Sequence, residues 1–288
     1  MVAKTRALVP KDKLLLAGSG CEGTLATMRM CDEMANAGAD ALMVVSPGYY
    51  KAVLNDRALI YHFTAVADQS PLPVILYTVP ACTGVELSVS AVATLCQHPN
   101  IVGMKDSTGD ITKLASFVAV SKGEQFQVLG GSAGFLLAAL SVGCSGAVCA
   151  LGNLLPHQVC QLYQYFTRSN SPSETPPCNE DSKQQVSLGD KFTASQKEHE
   201  LLPSGSSNGK QTSLENKIEC ARKALQLQHE LLAPNTAVTK TFGIAGLKQA
   251  MDWMGYYGGP ARKPLMPLLD ADRQALRNIF VKSGFLKD

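Results

Sequence analysis

The chain alternates between short apolar runs and longer amphipathic segments from its first residues. Strands that alternate with helices at this spacing indicate βαβ units and a parallel sheet, so the predicted fold class is α/β. The predicted strands are Leu14 to Ala17, Ala41 to Val45, Pro73 to Tyr77, Ile101 to Lys105, Phe126 to Leu129 and Gly146 to Ala150. The predicted helices between them include Thr24 to Ala37, Asp56 to Ala67, Ser88 to Cys96 and Ala133 to Leu140.

The number of strands leaves two parallel architectures open. A (β/α)8 TIM barrel has eight strands in about 250 residues, whereas only six precede the helical region that begins near Ile218. The segment Val2 to Val9 resembles the end of a helix stopped by Pro10, as though the sequence began partway through a βα unit. A doubly wound open sheet would accept six strands. No segment of the type G-x-G-x-x-G follows a predicted strand, so a dinucleotide site has no support.

The composition divides the chain into three parts. Residues 169–216 are rich in Ser, Pro, Lys, Glu and Asn and lack a sustained periodicity. Such a segment buries too little apolar surface to offset its ordering entropy, so we predict a disordered surface insertion. We predict that residues 1–168 form an incomplete (β/α)8 TIM barrel and that residues 217–288 form C-terminal helices.

Composition and charge indicate small-molecule chemistry. The chain has 288 residues, 45% hydrophobic and 17% charged, with a formal net charge of +2. This balance does not point to nucleic acid or to an acidic membrane surface, and no apolar run reaches the ~18 residues that span a bilayer. The five histidines have no ligand spacing and the nine cysteines lack the paired short spacing of a zinc site, so no metal is predicted. We interpret the cysteines as reduced thiols of an intracellular protein.

Two side chains that end neighbouring strands carry the candidate chemistry. Lys105 ends the run Ile101 to Lys105, and Tyr77 ends the strand before it. Burial in a sheet covered on both faces favours a neutral amine, which can attack a carbonyl carbon to form a Schiff base. A phenol beside the amine can relay protons. The alternatives are a lysine that reaches solvent and a core tyrosine with a solvated hydroxyl.

Several ordered segments resemble the dihydrodipicolinate synthase and N-acetylneuraminate lyase superfamily of class I aldolases. They are most similar to its mitochondrial 4-hydroxy-2-oxoglutarate aldolases, and the resemblance covers nearly the whole chain except the insertion. The segments are Leu14 to Gly20, Tyr77 to Pro80, Thr83-Gly84, Gln97 to Asn100, Gly103 to Ser107, Gly131 to Phe135 and Trp253 to Pro260.

The resemblance implies a role for each matching position. Lys105 is the Schiff-base lysine, Tyr77 the proton shuttle, and Tyr49 a tyrosine that enters a neighbouring subunit's site to complete the relay. Ser107 and Gly131, with Ser132 as a weaker candidate, would bind the carboxylate of the pyruvyl group. The implied reaction is cleavage of 4-hydroxy-2-oxoglutarate, a small 2-oxo acid, to pyruvate and glyoxylate. It needs no cofactor, and the implied protein is a mitochondrial homotetramer.

Two departures from the family pattern leave alternatives open. Cys82 stands where dihydrodipicolinate synthases generally carry an arginine for their second substrate, which argues against that synthesis. The family's first two βα units, with a Gly-Ser/Thr-x-Gly-Glu loop and any transit peptide, are expected to be absent, so the six strands would be the third to the eighth. Gly18 to Glu22 follows the wrong strand to replace that loop. The alternatives are therefore a catalytically impaired, truncated product and a neuraminate-lyase-like enzyme that acts on another 2-oxo acid.

Overall fold

The structure is a computed structural model that describes residues 1–171 and 207–287, with only the backbone described for 207–212. These residues form two compact units, one of residues 1–129 and one of residues 130–171 and 207–287. In the described part of the chain, no helix has the length and apolar character required to cross a membrane.

The first unit contains a sheet whose strands pair in chain order, β1-β2-β3-β4-β5, with the pairs from β1 to β4 parallel. The strands are β1 (Leu16–Gly18), β2 (Ala41–Val45), β3 (Val74–Thr78), β4 (Ile101–Asp106) and β5 (Gln127–Gly130), of which the last residue belongs to the second unit. The helices are α1 (Val2–Leu8), α2 (Thr24–Asn36), α3 (Asp56–Gln69), α4 (Pro80–Thr83), α5 (Val89–Leu95) and α6 (Ile111–Val120), and Lys51–Val53 form a 3₁₀ turn.

Polar side chains define where three helices of this unit begin. Asn55, Ser88 and Asp110 each precede a helix, and each side-chain oxygen accepts a hydrogen bond from the backbone N–H three residues later. These bonds satisfy N–H groups that have no partner within the helix. The caps place α3, α5 and α6 directly after the loops that follow β2, β3 and β4.

The two faces of the sheet are buried to different extents. Along β2 to β4, Leu42, Val44, Val74, Leu76 and Met104 are fully buried, whereas the side chains between them are only half-buried. Side chains alternate between faces along a strand, so Tyr77 and Lys105 lie on the half-buried face. The second face is therefore less buried than the expectation of a sheet covered on both faces requires. The apolar residues of this half-buried face gave the strands the uniform hydrophobicity that suggested full burial on both sides.

The second unit is mainly helical. The end of β5 lies beside β6 (Gly146–Ala147), since the N–H of Val148 donates to the carbonyl oxygen of Gly130 over 2.9 Å. The helices are α7 (Leu136–Ser141), α8 (Pro156–Ser169), α9 (Ser207–Thr236), α10 (Gly243–Trp253) and α11 (Asp270–Lys282), with 3₁₀ turns at Ala133–Phe135 and Ala150–Asn153 and a π-helical segment at Ala237–Thr241. Its core includes Leu136, Leu162, Leu231 and Phe280.

All six predicted strands are present, with shifts of up to three residues at their ends. The boundaries of the predicted insertion are corrected, because residue 169 ends α8 and residues 207–216 belong to α9. Their polar composition fits the end of a long helix, where a hydrophobic pattern is weak, as well as it fits a loop. The remaining residues of that prediction, 172–206, lie outside the described residues.

The expectation that every cysteine is a reduced thiol is also corrected. Among the described cysteines, Cys220 is disulfide-bonded, so the expectation fails for this residue. Spacing along the sequence cannot show which sulfur atoms approach within bonding distance in the fold.

Candidate active site

The two residues proposed to carry the chemistry lie side by side at the carboxyl ends of neighbouring strands. Tyr77 on β3 pairs directly with Lys105 on β4. The Nζ atom of Lys105 lies 4.1 Å from the centroid of the Tyr77 ring. An ammonium group over an aromatic face gains about 0.5–1 kcal/mol at exposed sites, which favours this placement of the side chain. The prediction that the amine and the phenol are neighbours is confirmed.

Ser107 extends this cluster by a hydroxyl group. Its Oγ atom lies 3.5 Å from the Tyr77 hydroxyl, at the limit of a hydrogen bond. Its backbone N–H donates to the carbonyl oxygen of Thr78 over 3.1 Å, which continues the pairing of the two strands by one residue. An amine, a phenol and an aliphatic hydroxyl therefore converge on the half-buried face of the sheet.

The turn after Lys105 is held by a buried acid that the sequence analysis did not single out. Asp106 is fully buried, and its Oδ1 atom accepts hydrogen bonds from the N–H and the hydroxyl of Thr108, at 2.9 and 2.5 Å. Burial raises the pKa of the Asp106 carboxyl, and the two bonds from Thr108 offset only part of that effect. A charged residue inside an apolar strand pattern was the available signal, but it was assigned only to the family motif.

Tyr49 lies in the loop after β2, where its side chain is 78% exposed. Its ring packs edge-on against that of Tyr50, with 5.0 Å between centroids. Among the described residues, the structure does not bring Tyr49 into hydrogen-bond contact with Lys105 or Tyr77.

Glu22 fixes the backbone of that loop and was also missed as a functional candidate. Its Oε2 atom accepts hydrogen bonds from the N–H groups of Gly48 and Tyr49, at 3.0 and 2.8 Å. Gly48 itself is required by packing, because a Cβ atom there would lie 2.5 Å from the carbonyl oxygen of Thr83. Through Glu22, the segment Gly18 to Glu22 is hydrogen-bonded to the loop that carries Tyr49, and the sequence alone does not reveal this contact.

The other two predicted site residues belong to the second unit. Gly131 follows β5 directly, and Ser132 precedes the 3₁₀ turn at Ala133–Phe135. The Ser132 hydroxyl donates to Oδ1 of Asn235 over 3.2 Å and accepts from the N–H of Gly134 over 3.2 Å. These bonds orient the Ser132 side chain within its own unit.

The chemistry available on the first unit's sheet is that of a nucleophilic amine with proton-transfer groups. In its neutral form the Lys105 amine can add to a carbonyl carbon, and the Tyr77 phenol is close enough to exchange protons with the adduct. Within the described ranges, no three His, Cys, Asp or Glu residues are grouped so that they could hold a metal ion.

Comparison with known families shows to which one the chain belongs. The sequence model of the dihydrodipicolinate synthetase family matches residues 1–174, which include both strands of the cluster. The chain belongs to the dihydrodipicolinate synthetase family. The family consists of lyase-type enzymes, so the expectation that the chain resembles such an enzyme is confirmed at the level of the family.

Individual members of the family differ in their named activities. The chain is 29% identical over 270 residues to a 4-hydroxy-tetrahydrodipicolinate synthase of Methanoculleus marisnigri, covering 94% of this chain and 75% of that protein. It is 37% identical over 153 residues to a probable mitochondrial 4-hydroxy-2-oxoglutarate aldolase of Emericella nidulans. That match covers 53% of this chain and 49% of the relative, so the chain spans about half of that protein's length.

Solved structures of the family share the fold. The dihydrodipicolinate synthase of Thermotoga maritima superposes with a TM-score of 0.76 at 22% identity, covering 99% of this chain and 80% of that chain. The Acinetobacter baumannii enzyme, whose structure contains pyruvate, gives the same TM-score, identity and coverage. At this level of identity the likeness establishes the parallel α/β fold of the family and does not distinguish among substrates.

Proposed function

We propose that this protein is a class I aldolase that cleaves 4-hydroxy-2-oxoglutarate to pyruvate and glyoxylate through a Schiff base on Lys105. The observation that carries the proposal is the position of Lys105 Nζ, 4.1 Å from the Tyr77 ring centroid, with the Ser107 hydroxyl at the edge of the same cluster. The match to the Emericella aldolase supports the choice of substrate.

The reaction would proceed through an imine with the 2-oxo carbon. The Lys105 amine adds to that carbon, and water leaves to give a protonated imine. The bond between C3 and C4 then breaks as the C4 hydroxyl loses its proton. Glyoxylate leaves, and the electron pair moves into the imine to form an enamine. Protonation at C3 and addition of water release pyruvate and restore the amine. Tyr77 is placed to carry the protons of these steps.

The remaining site residues would bind the substrate or complete the relay. Ser107 would donate a hydrogen bond from its hydroxyl to the carboxylate next to the 2-oxo carbon. Gly131 with its backbone N–H and Ser132 with its hydroxyl are the other proposed donors to a carboxylate. The exposure of Tyr49 is compatible with a role in the site of a second copy. We therefore also propose a homo-oligomer and, by similarity to the Emericella protein, a mitochondrial location.

Three other outcomes remain distinct from this proposal. The names of several relatives favour dihydrodipicolinate-type synthesis, in which pyruvate bound as an imine condenses with an aldehyde. Cys82 argues against it, since it stands where such synthases generally carry an arginine. A neuraminate-lyase-like enzyme would form the same imine but cleave another 2-oxo acid. A catalytically impaired chain would fold without turnover, and the half-buried face that carries Lys105 is the feature that favours this outcome.

The decisive experiment is reductive trapping of the imine. The purified chain is incubated with pyruvate and borohydride, and peptides are mapped by mass spectrometry. We expect one reduced pyruvyl adduct on Lys105 and its loss in Lys105→Arg. Lys122→Arg is the matched control because Lys122 is exposed. An adduct on a different lysine would refute the assignment. A panel of 4-hydroxy-2-oxoglutarate, N-acetylneuraminate, and pyruvate with an aldehyde then distinguishes the activities.

A further inference from the structure

Asp106 is a carboxyl group placed where a charge is costly. It is fully buried on the same face of β4 as Met104, and it pairs with Thr78 in the register of the two strands. Its Oδ2 atom is buried and, within the part of the chain that the structure describes, has no hydrogen-bond partner. A buried carboxylate with an unsatisfied oxygen destabilises a fold, so the bonds of its other oxygen are the observation that suggests a role for Asp106.

The local contacts indicate what that role is. Through Oδ1, Asp106 holds both the N–H and the hydroxyl of Thr108, which bends the chain immediately after β4. Ser107 lies inside this bend, with its N–H bonded to Thr78 and its hydroxyl 3.5 Å from that of Tyr77. The carboxyl on one face of the strand therefore fixes the position of a hydroxyl on the other face.

The charged groups around Asp106 do not supply a simple ion pair instead. Lys113 and Glu86 are the charged residues that act on the Asp106 carboxyl, and they act in opposite directions. They are bonded to each other, with Nζ and Oε1 2.5 Å apart. Since the lysine already has a carboxylate partner, the bonds to Thr108 are the main specific interaction of Asp106.

We propose that Asp106 is a positioning residue of the active site, which acts through the Thr108 turn to hold the Ser107 hydroxyl against Tyr77. This inference rests on the proposed function, in which the Ser107 hydroxyl binds the carboxylate of the substrate. The proposal concerns acceptor geometry: a side chain that accepts both Thr108 bonds should suffice, whether or not it is charged.

Four variants separate positioning from general stability. Asp106→Asn keeps an acceptor oxygen, and Asp106→Ala removes it. Thr108→Val removes one of the two donors and also the acceptor of the Asp110 N–H, a bond that Asp110→Ala keeps. The matched control is Asp110→Ala, which removes an exposed helix cap two residues after Thr108 and should lower stability without moving Ser107. Amide hydrogen exchange at Ser107 and Thr108 reports the turn directly, and the rate of imine trapping at a fixed pyruvate concentration reports the site.

We expect Asp106→Ala to lose exchange protection at both amides and to slow trapping by up to about 100-fold, the cost of a misplacement of about 1 Å. Thr108→Val should show a smaller change in the same direction, and it provides the test if Asp106→Ala does not fold. Asp106→Asn and Asp110→Ala should retain trapping close to that of the unmodified chain.

Two results would overturn the proposal. One is unchanged protection at Ser107 and Thr108 in Asp106→Ala, and the other is a trapping defect in Asp110→Ala as large as that in Asp106→Ala. Absence of trapping in the unmodified chain would instead refute the proposed function. In that case the exchange measurements alone decide whether Asp106 holds the turn.

Discussion

Replacing Asp106 by asparagine should stabilise the protein at neutral pH, and the gain should depend on pH. The carboxyl group is fully buried, one of its oxygens has no hydrogen-bond partner among the described residues, and burial is the largest influence on its pKa. Asparagine has nearly the same shape and keeps an acceptor for the two bonds from Thr108. It carries no charge that burial can penalise.

The sign of the pH dependence follows from the raised pKa. The folded state binds the Asp106 proton more tightly than the unfolded state, in which the pKa is about 3.9. Below that value both states are protonated, and the acid costs little. As the pH rises towards and through the folded-state pKa, the folded state loses stability relative to the unfolded state. The advantage of asparagine should therefore grow from pH 4 upward and level off once the folded carboxyl has ionised.

Two opposing contributions set the magnitude. Either side chain leaves one buried polar group without a partner among the described residues, at a cost of about 1–3 kcal/mol, and asparagine removes only the additional cost that a charge has at that position. Against this, each bond from Thr108 to a carboxylate is stronger than one to an amide by about 1 kcal/mol. Because burial outweighs the hydrogen bonds in its effect on the carboxyl pKa, the balance favours the neutral side chain. We expect a net gain on the order of 1 kcal/mol at pH 7, which corresponds to a melting temperature about 2–4 °C higher.

Thermal unfolding followed by circular dichroism between pH 4 and pH 8 measures this difference. Asp110→Asn is the matched control, since Asp110 is exposed and the two residues cap helices about equally well. A variant that is less stable than the unmodified protein at pH 7 would show that the carboxylate has a partner and is not penalised by burial. A gain of equal size at pH 4 and pH 7 would show that charge is not its cause.

Three further predictions concern other contacts. Tyr77→Phe should slow turnover by about 10²- to 10⁴-fold, the usual range for a lost acid-base group, while imine trapping persists; near-normal steady-state rates would make Tyr77 a packing residue. Gly103→Ala should destabilise the pairing of β4 with β5 by about 1–3 kcal/mol, because its Cβ would lie 2.6 Å from the carbonyl oxygen of Gln127; urea unfolding measures this loss. Asp56→Ala should cost about 1 kcal/mol at pH 7 through the lost bonds from two serine hydroxyls, which hold the pKa of Asp56 below its usual range. The stability that the Asp56 carboxylate contributes is present above its unfolded-state pKa and is lost as the pH falls through its folded-state pKa. The difference in unfolding free energy between Asp56→Ala and the unmodified protein should therefore shrink in acid. A difference that stays constant with pH would contradict this prediction.

The sequence by itself determined the strand order and the chemical pair. Alternation of apolar runs with amphipathic segments is a local property of the chain, so all six strands were located from it. Parallel strands that follow one another in a sheet bring their carboxyl ends together, so the sequence alone predicts that Tyr77 and Lys105 are neighbours. The family motifs added roles that no local pattern contains.

The tertiary structure decided burial and the contacts between distant segments. An apolar strand does not reveal whether one face or both are covered, so the half-buried setting of Lys105 became visible only in the fold. The start of α9 at Ser207 was missed because the polar sequence of this helix end also has the composition of a loop. Glu22 and Asp106 act through hydrogen bonds to backbone N–H groups. Any residue except proline can offer such a donor, so the sequence does not show which N–H groups Glu22 and Asp106 bind.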